Sequence, residues 1–322
     1  MRVLIAPDSF KGSLSAPQVA EAIARGVAAA DPDGQRVVVP LADGGEGTAE
    51  VLRDGLGGSW EAVETVDPLG RPLSAGVVRL DTGPVVVEAA KAIGHPLLLE
   101  RERDPWRTSS AGLAWLLKAA LLQRPAEIWV SLGGTATNDG GLGLLKALGA
   151  RFQDPAGRPL DPVLGRLEEV AGIDLKPVQK ALEGIRFKIL VDVDNPLAGP
   201  RGATYTFGPQ KGARPQDLEA LDRELAHLGR LLEQACGRPV AELAGAGAAG
   251  GLGAALAAVS GAAPVYGIEA VLAAADFDVK ARDADLVFTG EGRVDGQTLA
   301  GKVVMGVARR AQRYRLPVIC LA

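Results

Sequence analysis

Residues 285–302 read DLVFTGEGRVDGQTLAGK, and this stretch decides the predicted fold. The apolar run at 286–288 predicts a buried β-strand, and the glycines and charged residues after it predict a loop open to a ligand. Residues 303–313 then have the pattern of a helix, and residues 317–321 that of a final strand. Open α/β sheets are built from such units and bind their ligands outside the carboxyl ends of the strands.

The same order of strand, loop and helix is predicted at residues 3–30, 37–56 and 127–148. Ser15 is expected to cap the first of these helices, with Pro17 in its first turn. Because the strands are apolar throughout, they indicate a parallel sheet that is covered on both faces.

The intervening stretches have a different pattern. Turn signals separate apolar runs and predict hairpins, and further strands and one charged helix follow. The predicted strands are 60–66, 76–80, 85–89, 186–193 and 203–207, and the helix spans 215–234. The fold class is therefore α/β with two α/β domains, the first with a parallel sheet and the second with hairpins. The first is expected to comprise 1–57, 110–150 and 280–322, and the second 58–109 and 151–279.

The length of the chain agrees with two domains, and its net charge bears on which partners it can bind. The chain has 322 residues, more than a single core usually holds, and its net charge of −4 argues against a general nucleic-acid or membrane surface. Cys236 and Cys320 form no zinc-binding pattern and are expected to be buried, reduced residues. No signal peptide is evident at Met1, so a cytoplasmic location is expected.

Two glycine motifs resemble nucleotide-binding sequences but lack part of the pattern. Residues 245–250 have the GxGxxG spacing, yet no apolar strand pattern precedes Gly245, so close packing of a small-residue helix is favoured. An NAD(P)-dependent oxidoreductase built on this motif remains the alternative. Residues 296–303 approach a P-loop, but Val303 lacks the hydroxyl that would bind Mg²⁺. Lys302 is retained as a phosphate contact near a helix start.

Six polar segments, taken together, resemble one family. They read APDSFKGSLS (6–15), PLADGGEGT (40–48), LGGTATNDGG (132–141), DVDNPL (192–197), FGPQKGA (207–213) and GEGRVDGQT (290–298). This set closely resembles the bacterial glycerate kinase family, the first of its two unrelated types, from Met1 to Ala322. Family members continue past the last predicted strand, and the run at 88–94 departs from the family's usual Met followed by Ser-Gly-Leu.

The resemblance implies one Rossmann- or flavodoxin-like parallel-sheet domain and one mixed-sheet domain. It also implies phosphorylation of D-glycerate with ATP and Mg²⁺, with 2-phosphoglycerate favoured over 3-phosphoglycerate. Phosphoryl transfer requires positioning and neutralisation of phosphate charge more than covalent chemistry. The loop after the strand at 127–132 can present consecutive N–H groups to phosphate, next to the positive end of a helix dipole. The expected ATP-binding residues are Gly133, Gly134, Thr135, Thr137, Asn138, Lys211 and Lys302, and Lys11 is a further cation for phosphate.

Carboxylates and one arginine supply the remaining roles. Mg²⁺ takes oxygen ligands and needs only one or two carboxylates, for which Asp192, Glu291 and Asp139 are candidates, with Asp43 as a fourth. The general base is expected to be Asp192 or Asp295. The expected substrate-binding residues are Asp8, Ser9, Asp43, Gly44, Gly45, Glu46 and Arg293, where Arg293 suits the carboxylate of glycerate. A non-catalytic nucleotide- or sugar-acid-binding protein remains the third interpretation.

Overall fold

The computed structural model describes residues 1–10, 12–294 and 302–322. The strands are β1 (Arg2–Ile5), β2 (Gln35–Val38), β3 (Gly58–Val66), β4 (Pro72–Leu80), β5 (Val85–Glu88), β6 (Glu127–Ser131), β7 (Arg151–Gln153), β8 (Pro159–Leu160), β9 (Gly172–Asp174), β10 (Arg186–Val191), β11 (Pro264–Tyr266), β12 (Leu286–Gly290) and β13 (Val318–Leu321). The helices are α1 (Ala16–Ala30), α2 (Thr48–Leu56), α3 (Ala90–Ile93), α4 (Ala111–Leu122), α5 (Leu142–Leu148), α6 (Lys176–Ala181), α7 (Ala203–Phe207), α8 (Leu218–Cys236), α9 (Ala248–Ser260), α10 (Gly267–Ala274), α11 (Phe277–Arg282) and α12 (Val303–Arg313).

The first sheet has four parallel strands in the order β13-β12-β1-β2. Helix α1 packs Val19 and Ile23 against one face of β1, and α10 to α12 bury Phe277 and Val307 against the other face. Strand β1 is buried on both faces, as the sequence predicted, whereas the edge strands β2 and β13 are largely exposed. Ser15 is the N-cap of α1, where its backbone N–H donates to Gln18 Oε1 at 2.9 Å.

The second sheet is mixed, in the order β11-β10-β6-β5-β4-β3. Its strands β5, β6, β10 and β11 are parallel, whereas β3, β4 and β5 form the predicted antiparallel hairpins. The protein is therefore α/β with one parallel and one mixed sheet.

Strand β6 lies between β5 and β10 in this second sheet, which corrects the expectation that it belongs with the strands of 1–57. An apolar strand pattern shows that a strand is buried but not which sheet it joins. The domain boundaries themselves stay a prediction.

Residues 203–207 form helix α7, so the expectation of a strand there is wrong. The sequence Ala-Thr-Tyr-Thr-Phe is rich in strand-favouring residues, but its N–H groups have helical partners, since Thr206 N donates to Gly202 O and Gly208 N donates to Thr204 O. Burial of Ala203 and Thr204 against α8 and α9 overrides the local preference.

A third, small sheet orders its strands β8-β7-β9 beside helix α8. Neither cysteine is fully buried, contrary to expectation: Cys236 is half-buried and Cys320 is exposed on the edge strand β13. Within the three described ranges, no helix is both long enough and apolar enough to cross a membrane.

Candidate functional site

Loops from the carboxyl ends of the first sheet's strands lie side by side. Asp8 N donates to Gly290 O at 2.8 Å, so the loop after β1 is fixed to the end of β12. Leu41 N donates to Pro7 O at 2.9 Å, which continues the pairing of β1 and β2 beyond the strands. Asp8, Ser9 and the residues after β2 are thereby held at one edge, as the parallel topology predicts.

The 43–48 loop crosses from the first sheet to the second. Gly133 N donates to Gly44 O at 3.2 Å, and a Cβ on Gly133 would lie 2.5 Å from Gly45 Cα. On its other side, a Cβ on Gly44 would lie 3.2 Å from the side chain of Leu190 in β10. The loops of both sheets therefore meet at the glycines that the sequence singled out, and only residues without a side chain allow this close approach.

A cavity of about 540 Å³ opens between the loop after β1 and the start of α2. Its wall includes Asp8, Ser9 and Glu46, which were predicted to bind substrate, together with Glu50 and Lys91. Gly134, with φ +76°, adjoins this wall, since a Cβ there would lie 3.6 Å from Glu46 Cβ. The cavity thus combines carboxylates, a hydroxyl and an ammonium group, a composition suited to a small polar ligand.

The remainder of the 133–138 loop runs away from the cavity into the second sheet. Thr135 pairs with Gly94, and Ala136 N donates to Ile93 O at 2.8 Å. Thr137 and Asn138 are fully buried, and Asn138 Nδ2 donates to Thr204 Oγ1 at 3.0 Å. Thr137 Oγ1 and Asn138 Oδ1 have no hydrogen-bond partner among the protein atoms described. Buried polar atoms rarely remain unpaired, so a bound molecule or water fits here.

Lys211 lies beneath this loop. Its side chain is 2% exposed, and Nζ donates to Thr137 O at 2.7 Å. Burial lowers the pKa of Lys211 to about 7, although the nearby Asp139 carboxylate opposes this shift. The sequence predicted a direct phosphate contact, whereas the structure places the amine where it supports the loop backbone. Burial, with the charges of Lys211 and Arg103, also lowers the pKa of His95 to about 4.

Asp139 has a structural position that argues against metal binding. Its carboxylate accepts from Ser110 N and Ser110 Oγ, both at 2.8 Å, from Gly143 N at 3.0 Å and from Gly141 N at 3.1 Å. Four donors surround a side chain that is 3% exposed. These contacts favour a structural role, in which Asp139 ties α4 to the start of α5, over the predicted role as a Mg²⁺ ligand.

The remaining predicted residues lie at the same strand ends where the structure describes them. Asp192 directly follows β10 and is half-buried, and Glu291 follows β12 with 5% exposure. Arg293 is exposed, and Lys302 is the N-cap residue of α12. Lys11 and Asp295 lie outside the described residues, as does most of the P-loop-like stretch 296–303.

Asp43 has a carboxylate whose geometry fits a cation. Asp43 Oδ1 accepts from Gly45 N at 3.0 Å, whereas the buried Oδ2 has no hydrogen-bond partner in the described structure. Among residues 1–10, 12–294 and 302–322, no group of three His, Cys, Asp or Glu side chains is placed to hold a metal by itself. Mg²⁺ usually takes only one or two carboxylates from the protein and completes its coordination with waters and substrate phosphates.

Two residues of the site, Glu88 and Lys91, were not predicted. Glu88 ends β5 and is 1% exposed, and its carboxylate accepts from Gly47 N and Ala49 N, each at 3.0 Å. Lys91 forms an ion pair with Glu50, and its Nζ lies 3.9 Å from Glu88 Oε1. Burial raises the pKa of Glu88 to about 7, Glu50 adds to the rise and Lys91 opposes it. The position of Glu88 at a parallel strand's carboxyl end was the available signal.

The GxGxxG motif packs against the candidate phosphate loop. Residues 241–247 are turns and irregular structure, so the strand that a Rossmann site requires is missing before Gly245. Ala249, Gly250 and Gly251 have φ values of 55°, 68° and 100° and form a kink in α9. A Cβ on Gly250 would clash with the carbonyl oxygen of Thr137. The glycines therefore serve close packing, and the oxidoreductase interpretation is not favoured.

Comparison with known proteins gives the family. The model of the glycerate kinase family matches residues 3–322. This chain belongs to the glycerate kinase family. It is 43% identical over 323 residues to the glycerate kinase of Bacillus subtilis (strain 168), covering 100% of this chain and 85% of that protein.

Two further relatives agree with the family match. The glycerate 2-kinase of Escherichia coli (strain K12) is 41% identical, with coverage of 100% of this chain and 85% of the relative. A crystal structure from Salmonella typhimurium LT2, whose protein is provisionally named glycerate kinase 2, superposes with a TM-score of 0.87 at 43% identity, covering 99% of this chain and 86% of that one. The glycerate kinase family member described here is therefore a kinase, which implies ATP as its phosphoryl donor.

Proposed function

We propose that this protein transfers the γ-phosphoryl group of ATP to a hydroxyl of D-glycerate and that it is of the first type of glycerate kinase. The observation that carries the proposal is the convergence of Asp8, Ser9, Glu46 and Gly134 around one cavity, in a chain that matches the family from residue 3 to 322. We favour 2-phosphoglycerate over 3-phosphoglycerate as product, which the name of the Escherichia coli relative supports.

The cavity is the proposed glycerate subsite. Asp8 and Glu46 line it and can accept hydrogen bonds from the two hydroxyl groups of glycerate, and Ser9 can donate one. Arg293, two residues after Glu291, is the proposed partner of the glycerate carboxylate, for which a guanidinium provides two parallel N–H donors. These contacts would orient one hydroxyl toward the phosphate loop, which is the main requirement of phosphoryl transfer.

The 133–138 loop is the proposed phosphate-binding segment. Gly134 adjoins the cavity wall at Glu46, where its backbone N–H can meet phosphate oxygens. Gly133 fixes the loop beside it, since its N–H donates to Gly44 O. Thr135, Thr137 and Asn138 continue the loop, and Lys211 holds it from below through the Thr137 carbonyl. Lys302, at the start of α12, is the proposed point charge for phosphate, with the positive end of the helix dipole behind it.

The residues present also fit a Mg²⁺ ion. Asp43, with its unpaired buried Oδ2, Asp192 and Glu291 are the proposed ligands, together with oxygens of the ATP phosphates. A bound Mg²⁺ supplies neutralisation of the phosphate charge. Asp192 is also a proposed general base that removes the hydroxyl proton, with Asp295 as the other candidate.

Asp192→Asn is expected to lower kcat by roughly 10²–10⁴-fold, the usual contribution of a general base, while the fold stays intact. Asp139→Asn is the matched control, because Asp139 is assigned to structure: it should lower the urea midpoint without changing the Mg²⁺ concentration that gives half-maximal rate. Steady-state rates across a Mg²⁺ titration and urea unfolding distinguish the two. Unchanged turnover in Asp192→Asn would remove this residue from the catalytic set.

The proposed reaction is tested with wild-type protein, Mg·ATP and D-glycerate, by product analysis with proton-coupled phosphorus NMR. A phosphate on C2 couples to one proton and gives a doublet, whereas a phosphate on C3 couples to two protons and gives a triplet. We expect the doublet. A triplet would change the product assignment, and ATP binding without any phosphoglycerate would favour the non-catalytic binding protein.

A further inference from the structure

We infer that Glu88 is a positioning residue for the 43–48 loop and thereby for the binding of the sugar acid. The inference rests on the proposed function, since it assigns the cavity beside Glu46 to D-glycerate. Glu88 does not line the cavity in the part of the chain described, so it acts through the backbone that it holds.

The contacts of Glu88 are directed at the start of helix α2. Gly47 is the N-cap residue with φ +86°, and Ala49 is the second residue of the helix. Their N–H groups are among those that a helix cannot pair internally. Each oxygen of the Glu88 carboxylate accepts one of these N–H groups at 3.0 Å. The last residue of β5 therefore fixes the start of α2, which lies between Glu46 and Glu50, two residues of the cavity wall.

The charges around Glu88 determine whether both oxygens can accept. Glu50 faces it from α2, and Lys91 faces it from α3, with Nζ 3.9 Å from Glu88 Oε1. Glu46 lies close enough to act on the charge of Lys91 as well. A protonated Glu88 would turn one acceptor oxygen into a donor and leave a backbone N–H without its partner. The Lys91 ammonium group, amid three carboxylates, favours the ionised form that holds the loop.

The structure offers a matched control for this role. Glu233 in α8 also accepts two backbone N–H groups, from Val240 at 2.9 Å and Ala241 at 3.0 Å, far along the chain from the 43–48 loop. Both of these N–H groups bond to Glu233 Oε1, whereas the two N–H groups at Glu88 bond to different oxygens. Glutamine keeps one acceptor oxygen, so Glu233→Gln removes the charge but can keep both bonds, and Glu88→Gln must lose one. Glu233→Gln is therefore the control for loss of the charge, and only Glu88→Gln should affect the cavity.

The test compares Glu88→Gln and Glu233→Gln in steady-state assays and in hydrogen exchange of residues 43–51. We expect Glu88→Gln to raise the KM for D-glycerate roughly tenfold, which corresponds to ~1.4 kcal/mol, and to leave the KM for ATP within about twofold. Exchange at 43–51 should quicken in Glu88→Gln alone. A KM for D-glycerate equal to that of wild type, or an equal rise in Glu233→Gln, would overturn the inference.

Lys91→Met provides a second test if Glu88→Gln does not fold. Because the Lys91 ammonium holds the pKa of Glu88 down, its removal should move the acid limb of kcat/KM for D-glycerate to higher pH. An unmoved acid limb contradicts the inference. If wild-type protein does not phosphorylate D-glycerate, the proposed function fails, and hydrogen exchange at 43–51 still reports whether Glu88 and Lys91 hold the loop.

Discussion

Gly133 lies where a loop of the second sheet contacts the 43–48 loop of the first sheet. The contact is possible because Gly133 has no side chain. An added Cβ would be 2.5 Å from Gly45 Cα, which is too close for any real contact and involves backbone on both sides. Gly133→Ala should therefore displace the 43–48 loop, destabilise the protein by roughly 1–3 kcal/mol and lower kcat/KM for D-glycerate.

Gly26→Ala is the control for Gly133→Ala. Gly26 lies inside helix α1, and an added Cβ there meets no atom within 4 Å. This variant should be as stable as wild type or more stable by up to ~1 kcal/mol, because alanine favours the helix. Urea unfolding and steady-state kinetics of both variants measure the difference. Wild-type kinetics in Gly133→Ala would show that the close approach has no functional role.

Lys211 gives stability a specific dependence on pH. Burial lowers its pKa to about 7, below the ordinary value of 10.5, so between these values the unfolded chain binds a proton that the folded protein does not. Unfolding free energy should therefore rise as pH increases above 7, by at most ~1.4 kcal/mol per pH unit from this group. Below pH 7 the full cost of a buried ammonium applies.

Lys211→Met should remove that rise, since the methionine side chain does not titrate. Urea unfolding of wild type and variant at pH 7 and pH 9 gives the comparison, in which other titrating groups cancel. Parallel changes in the two proteins would show that Lys211 keeps an ordinary pKa. The sequence singled out Lys211 but did not predict that its side chain is buried, because lysine side chains are usually exposed.

Arg310 links helix α12 to two neighbouring helices, in addition to the apolar face that α12 buries. Arg310, with a side chain that is 13% exposed, contacts Glu269 of α10 at 2.6 Å and also Asp278 of α11. Tyr314 donates to the same Asp278 at 3.1 Å. Arg310→Met would leave both carboxylates without this partner, and because they remain partly solvated we expect a loss of about 1–2 kcal/mol.

Arg309→Met is the matched control, since Arg309 is exposed on the same helix. Its effect on the free energy of unfolding should stay within about 0.5 kcal/mol. Thermal or urea unfolding measures both variants. Equal effects would mean that the Arg310 contacts add nothing to the packing of α12.

Helices and strands were predictable from sequence where residues close together in the chain determine the structure. The bounds of α12 and the cap of α1 at Ser15 follow from periodicity and capping chemistry, both of which are local. The helical conformation of residues 203–207 was not predictable in this way, because packing against α8 and α9 determines it. Strand β6 was recognised as a strand, but its neighbours β5 and β10 depend on contacts distant in sequence.

For the molecule as a whole, parallel topology predicted that the polar loops lie at the carboxyl ends of the strands. It could not predict which loops touch, and the contact of Gly133 with Gly45 joins loops of different sheets. The role of Glu88 was not predicted for the same reason, since its two hydrogen-bond partners at the start of α2 precede it by about forty residues. The roles of Lys11 and Asp295, outside the described residues, stay predictions.

The central claim is that this assembly of loops phosphorylates D-glycerate. The most direct measurement is the rate of ADP release by wild-type protein with Mg·ATP, before and after addition of D-glycerate. We expect ADP release that depends on D-glycerate, saturates with its concentration and is matched by phosphoglycerate formed. ADP release that is unchanged by D-glycerate in folded, ATP-binding protein would contradict the account.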